Sequence, residues 1–359
     1  MTRPANIVDF WRGFALVEIL INHVPGNFYE RFTHKALSVS DAAELFVFLA
    51  GWALGYVAGR PGAPAPLARV LYRLGWRAVT VYGAHVATMM MAIALLAGAS
   101  LWFDNSLYLE WHNAAPVFQD PVETQIGLVL LSHQLGYFNI LPLYVALLVV
   151  APVLVAVSRL SSWALLAVSG AVYLAALATP LTIPTWPAEG QWFFNPLCWQ
   201  FLFVLGFLAC RAEGPGAALR RRLPTLRWIA WPVVIAGAAV TWFDLYPDPT
   251  RVPWPPLVFI AGKTFLTPMR LVHFLALAIA LASLYPVIEQ RAGALARGLS
   301  LFGRNSLPVF CAGSIASLIG QILRFATGGG LLFDTAFVAC GLALMALAAW
   351  AAESREGER

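Results

Sequence analysis

Apolar residues run along this chain in ten stretches, with polar residues gathered between them. The stretches cover roughly 10–25, 41–59, 77–101, 136–157, 163–180, 195–211, 228–246, 270–288, 305–324 and 331–351. Most approach the length a helix needs to cross about 30 Å of hydrocarbon. Ahead of the fourth, ETQIGLVLLSHQLGYF predicts a short helix lying near the surface. The ninth, LPVFCAGSIASLIGQIL, carries small residues that suit close helix packing in lipid. The pattern predicts an all-α polytopic membrane protein of about ten transmembrane helices, folded as one domain over residues 1–359.

Composition sharpens this. The 359 residues are 60% hydrophobic and 11% charged, where a soluble domain carries about 25% charged residues. Arg3 and Arg12 ahead of an apolar run imitate a secretion signal. Glu18 and Asn22 interrupt that run and no small-residue cleavage site follows, so residues 1–25 read as a retained first helix. The four cysteines lie inside apolar stretches, which fits neither a disulfide framework nor a zinc site, and no other metal site is expected.

Charge sets the orientation. With the N-terminus in the cytoplasm, the inner loops hold Arg60, Arg69, Arg73, Arg159, Arg211, Arg220, Arg221, Arg222, Arg227, Arg291 and Arg297, and the tail holds Arg355 and Arg359. The outer loop 102–126 has four acidic residues and no Lys or Arg. This asymmetry predicts that both termini are cytoplasmic. The exceptions are Arg31, Lys35, Arg251, Lys263 and Arg270. The net charge of +5 is spread along inner rims, which argues against nucleic acid as a partner. Membrane lipids are the surroundings such a chain requires.

Several polar residues have no obvious place in an anchoring helix. Arg12 and His23 are eleven residues apart, which puts them on one helix face about 16 Å apart along the axis. Charged groups at depth usually face a bundle interior or a wet cavity; the plainer account is a snorkelling arginine and a rim histidine. Arg69, Arg73 and Arg77 recur every four residues and form one basic stripe, suited to phosphate groups. Asp41 and Glu44 read as an N-cap pair at the start of the second helix, and the short outer loop brings that acidic start towards His23, where a carboxylate suits a general base. Asn22 and Asn27 flank His23 and are candidates for binding substrate. Trp192, Asn195 and Trp199, with Trp186 nearby, form either an interfacial aromatic belt or a platform for sugars. Lys263, Arg270 and His273 oppose the charge trend and suggest an anion site. His133, Gln134 and Asn139 read as packing and rim groups.

Together, FWRGFALVEILINHVPGN, SDAAELFVFLAGW, FFNPLCWQFLFVLG, KTFLTPMRLVHFLALA and GRNSLPVFCAGS resemble the OpgC family, the membrane succinyltransferases of osmoregulated periplasmic glucans, within the acyltransferase-3 superfamily. The Arg12-to-His23 spacing is similar to the superfamily's first-helix signature. In this chain Arg73 and Arg77 have three intervening residues, where the superfamily's arginine pair usually has two. The resemblance implies a ten-helix membrane acyltransferase that takes an acyl group from cytoplasmic acyl-CoA, succinyl-CoA being the co-substrate expected, and delivers it to a periplasmic glucan hydroxyl. His23, with Asp41 and Glu44, would then be catalytic. Arg12, Arg69, Arg73 and Arg77 would bind CoA. Two other readings stay open: acetyl transfer to another surface glycan, and a polytopic transporter or flippase.

Overall fold

A computed structural model describes residues 6–60 and 62–357. Arg3 and Arg359, counted in the charge pattern above, lie outside the described residues. Among the described residues the chain is all-α apart from a hairpin of two-residue strands, Gly59–Arg60 and Ala63–Pro64, and a single bridge between Pro184 and Gln191.

All ten apolar stretches fold as helices. They are α1 (Ile7–Asn22), α2 (Ala42–Ala58), α3 (Leu67–Trp102), α6 (Ile140–Leu160), α7 (Ser162–Ala178), α8 (Pro196–Cys210), α9 (Gly214–Trp242), α10 (Pro268–Leu281), α13 (Ser306–Thr327) and α14 (Leu331–Gly357). Between α3 and α6, short helices α4 (Ala115–Gln119) and α5 (Pro121–Val129) follow a 3-10 segment at Ser106–Asn113. After α10 come α11 (Leu284–Arg291) and α12 (Gly293–Arg304). Among the described residues, five helices are long and apolar enough by themselves to cross a membrane: α3, α6, α9, α13 and α14. The pair α10 and α11, bent by 48°, makes a sixth if it acts as one span. The chain is thus a multi-pass membrane protein; α2, α7 and α8 are apolar but shorter.

Two helices begin earlier than hydrophobicity predicts. α3 starts at Leu67, not near 77, and its 36 residues extend about 54 Å. The onset of apolar sequence marks where lipid begins, and a helix with Leu, Ala and Arg in its first turns runs on beyond it. The stretch RAEGPGAALRRRLPTLR reads as a linker, but α9 takes in most of it from Gly214. Pro215 sits in the first turn, where its missing N–H costs nothing.

α1 packs against α2, α12 and α13, and α2 in turn against α8. Glycines let backbones touch at both seams. A Cβ on Gly13 would collide with the Leu299 carbonyl of α12, and one on Gly303 with the Asp9 carbonyl of α1. Across the other seam, Gly51 faces the Phe203 carbonyl and Gly206 the Phe48 carbonyl in the same way. α3 packs on α6 and α13, α9 on α10, and α13 on α14. The short helices of the 106–138 region lie over α3 and α13, burying Tyr108, Val117, Leu128, Leu135 and Phe138 against Met89, Leu96, Ile315 and Ile322. This region is therefore a packed cap, not an open loop.

The segment after α1 folds back on it. The His34 backbone N–H donates to Glu18 at 2.7 Å, and the His34 ring pairs with the other oxygen of the same carboxylate. Thr33 donates to Asn22 at 2.9 Å. The start of this segment is tied to the last two helices. Arg324 pairs with Asp334 at 3.0 Å and donates to the Gly26 carbonyl at 2.6 Å, while Asp334 accepts the Phe28 N–H at 2.8 Å. At the opposite end, Arg304 and Asn305 hold Glu353 of α14.

Candidate active site

His23 caps the C-terminus of α1. Its backbone carbonyl accepts from the Gln321 amide of α13, which fixes the height of the residue against the bundle. Its ring lies 4.6 Å from the Tyr137 ring, and Tyr137 lies 5.1 Å from the ring of His112. The Nδ1 of His23 is buried without a hydrogen-bond partner among the described residues. Asp41, Lys263, His112 and Lys35 are the ionisable groups that shape its electrostatic surroundings.

Asp41 and Glu44 form the capping box that sequence predicts: Ala43 N–H donates to Asp41, and Asp41 N–H to Glu44, each at 2.9 Å. Their remaining oxygens are taken by cations. Lys263 donates to Asp41 at 2.6 Å, and Arg270 bonds Asp41 at 3.1 Å and Glu44 at 2.7 Å. From the sequence, Asp41 and Glu44 are expected beside His23, and Lys263, Arg270 and His273 in a separate anion site. The fold joins the two into one neutral cluster, because a charge left alone in this interior would cost several kcal/mol. The hydrogen bonds of the Asp41 carboxylate go to Lys263, Arg270 and Ala43, so it does not fix the His23 tautomer through Nδ1. Lys263 is the more accessible cation, its side chain 30% exposed against 10% for Arg270. His273 is buried with its Nδ1 facing the hydroxyls of Ser38 and Ser40. Its ring fills the space over Gly237, where any Cβ would strike it.

Of the tryptophans, Trp186 is exposed, while Trp192 and Trp199 present no open face for a sugar. Trp199 is 0% exposed and donates to the carbonyls of Lys263 and Thr264 at 3.1 and 3.2 Å, bracing the loop that carries Lys263. Asn195 is buried and caps α8, and its amide donates to Leu181. Trp192 is buried as well. Asn22 accepts from Thr33, and Asn27 caps the turn that follows, its side-chain nitrogen buried without a protein partner.

At the other end of α1, Arg12, Arg73 and Arg77 line one cavity of about 320 Å³, together with Tyr144 and Ser306. α1 supplies the first arginine and α3 the other two, one turn apart. Arg69 lies on the exposed first turn of α3 and does not line this cavity. A larger cavity of about 590 Å³ lies against a different face of α2, with walls that include Trp11, Phe48, Trp52 and Phe274. Its lining is almost wholly apolar, which suits it poorly to phosphates.

Five residues near the site were given no role by sequence reasoning: Glu18, His34, His112, Tyr137 and Gln321. Glu18 and Gln321 carried a signal, being polar inside apolar helices. His112 carried none, since EWHNAAP has no helical period. Burial holds the His112 imidazole below its ordinary value, against an opposing contact with Gln321. His34 stands above its ordinary value: burial pulls it down, and the Glu18 carboxylate more than offsets that.

No curated protein and no solved structure matches the chain. The OpgC protein family does match, over residues 4–357. An arginine-lined cavity at one end of α1, a half-buried histidine at its other end and a family match over nearly the whole chain lead to one conclusion: the protein belongs to the OpgC family.

Proposed function

We propose that the protein moves a succinyl group from cytoplasmic succinyl-CoA to a hydroxyl of a periplasmic glucan. Membership of the OpgC family implies an acyltransferase of the glucan-succinylating type. The proposed topology is ten crossings with both termini inside, in a bacterial inner membrane, which puts the arginine cavity at the cytoplasmic face and His23 near the outer face.

The observation that carries the reading is the convergence of Arg12, Arg73 and Arg77 on one cavity below His23. Guanidinium groups hold phosphate oxygens bidentately. With the CoA phosphates there, the pantetheine arm would run along α1 over the roughly 16 Å of helix that separates Arg12 from His23. The thioester then lies beside the imidazole. A free ring nitrogen of His23 takes the proton as a glucan hydroxyl attacks the thioester carbonyl. The carbon–sulfur bond breaks, an ester forms, and the thiolate leaves as CoA after protonation. Lys263, the accessible cation of the outer cluster, can turn from Asp41 to the free carboxylate of the succinyl group, while Arg270 stays fixed between Asp41 and Glu44.

The test is mass spectrometry of periplasmic glucans from cells with and without the gene. A mass gain of one succinyl unit that depends on the gene and on His23 is the expected result. Glucans of unchanged mass would overturn the reading, and an acetyl increment would replace the donor while keeping the chemistry.

A further inference from the structure

The exposed aromatic ring beside His23 is Tyr137, 37% exposed, and none of the tryptophans of the 186–199 stretch takes that place. Tyr137 sits between two histidine rings, 4.6 Å from His23 and 5.1 Å from His112. The backbone holding this group is unusual. His112, Asn113, Leu131 and Tyr137 have φ of 56°, 64°, 61° and 66°, left-handed values that His and Asn tolerate but that are uncommon for Leu and Tyr. A constraint is visible: Gly136 N–H donates to the His112 carbonyl at 2.8 Å, and a Cβ on Gly136 would lie 3.3 Å from the His112 Cα. Such strain persists where the surrounding structure enforces it and gathers at functional sites. Two ring nitrogens at this spot, His112 Nε2 and His23 Nδ1, are buried without a protein partner, and buried polar atoms normally have one.

A ligand for this place must offer an apolar face to a phenol ring and hydroxyls to two imidazoles. A pyranose does both, since its axial C–H bonds gather on one face and its hydroxyls ring the edge. We propose that Tyr137 and His112 form a subsite for one pyranose unit of the acceptor, with Tyr137 beneath the sugar face and His112 Nε2 on a hydroxyl, so that a neighbouring hydroxyl meets His23. The proposal rests on the reading of His23 as the reacting centre. It places acceptor recognition on the 106–138 cap instead of the Trp192–Trp199 segment.

The experiment is equilibrium binding of short glucose oligosaccharides to the purified full-length protein, without acyl donor, beside binding of CoA. Tyr137→Ala and His112→Gln are each expected to weaken oligosaccharide binding about tenfold, the value of one good hydrogen bond or stacked face. Tyr137→Phe should bind nearly as wild type, and CoA affinity should be unchanged in all three, which also shows that they fold. Tyr137→Leu, which fills the same space without a π face, replaces Tyr137→Ala if that variant does not fold. Oligosaccharide affinity equal to wild type in the Tyr137 and His112 variants would overturn the subsite alone. A wild-type protein that binds oligosaccharide but transfers no acyl group would overturn the proposed reaction and leave the subsite standing. Absence of oligosaccharide binding by wild type overturns the subsite and the glucan acceptor together.

Discussion

At the scale of single residues, two ends of one helix carry the argument. His23→Ala is expected to lower the transfer rate by roughly 10²–10⁴-fold, the usual loss for a general base, in protein that still inserts and binds CoA; a rate equal to wild type in reconstituted vesicles would remove His23 from the mechanism. Arg77→Ala should weaken CoA binding by more than about tenfold, since a charge-assisted bond is worth about 1.5–3 kcal/mol. Arg69→Ala should leave that binding nearly unchanged, as the residue lies outside the cavity lining; calorimetry on the two variants separates them. Lys263→Gln should narrow the preference for succinyl- over acetyl-CoA, and a ratio that does not move leaves Lys263 only its ion pair with Asp41. The arginines were legible from their period of four, a property of one helix. Arg270 was less so, because its partners lie 226 and 229 positions away, and nothing local in KTFLTPMRL announces an ion pair with the second helix. His112 and Tyr137 were not legible at all, since their neighbourhood is created by turns with left-handed residues.

At the scale of elements, hydrophobicity found every long helix but misplaced two starts. Length in lipid is read from apolar side chains, whereas α3 and α9 continue through basic turns that snorkel or meet water. The return of the 28–37 segment onto Glu18 was hidden for a related reason: a loop that packs back on its own helix leaves no period in the sequence. That contact has a pH dependence. The folded-state value of His34 is raised, so its contribution to stability is complete below the ordinary imidazole value of about 6.5 and fades as pH rises through the higher folded value. Thermal melting in detergent should therefore show a loss of stability as pH rises above about 6.5 that disappears in His34→Gln; an identical pH profile for that variant would assign the pair no energetic role. The α1–α12 seam gives a second expectation. Gly13→Val must push α12 away from α1, with loss of folded protein in a fluorescence size-exclusion assay, because the obstruction is backbone on the partner side.

At the scale of the whole molecule, the charge asymmetry predicts where each loop lies. Cysteines placed at Glu110 and at Arg222 should react from opposite sides with an impermeant thiol reagent, and labelling from the same side would discard the ten-crossing topology. The ties of Arg324 and Asp334 to Gly26 and Phe28 have a consequence for how the protein comes into being. The first helix leaves the ribosome early, but Gln321, which holds the carbonyl of His23, and the Arg324–Asp334 pair that anchors the following residues are made about three hundred residues after it. For most of its synthesis the growing chain is a set of inserted helices without a finished reaction centre. A chain stopped before α13 and α14, however well inserted, lacks every one of these ties, and the His23 end of the first helix takes its final form only with the last two helices.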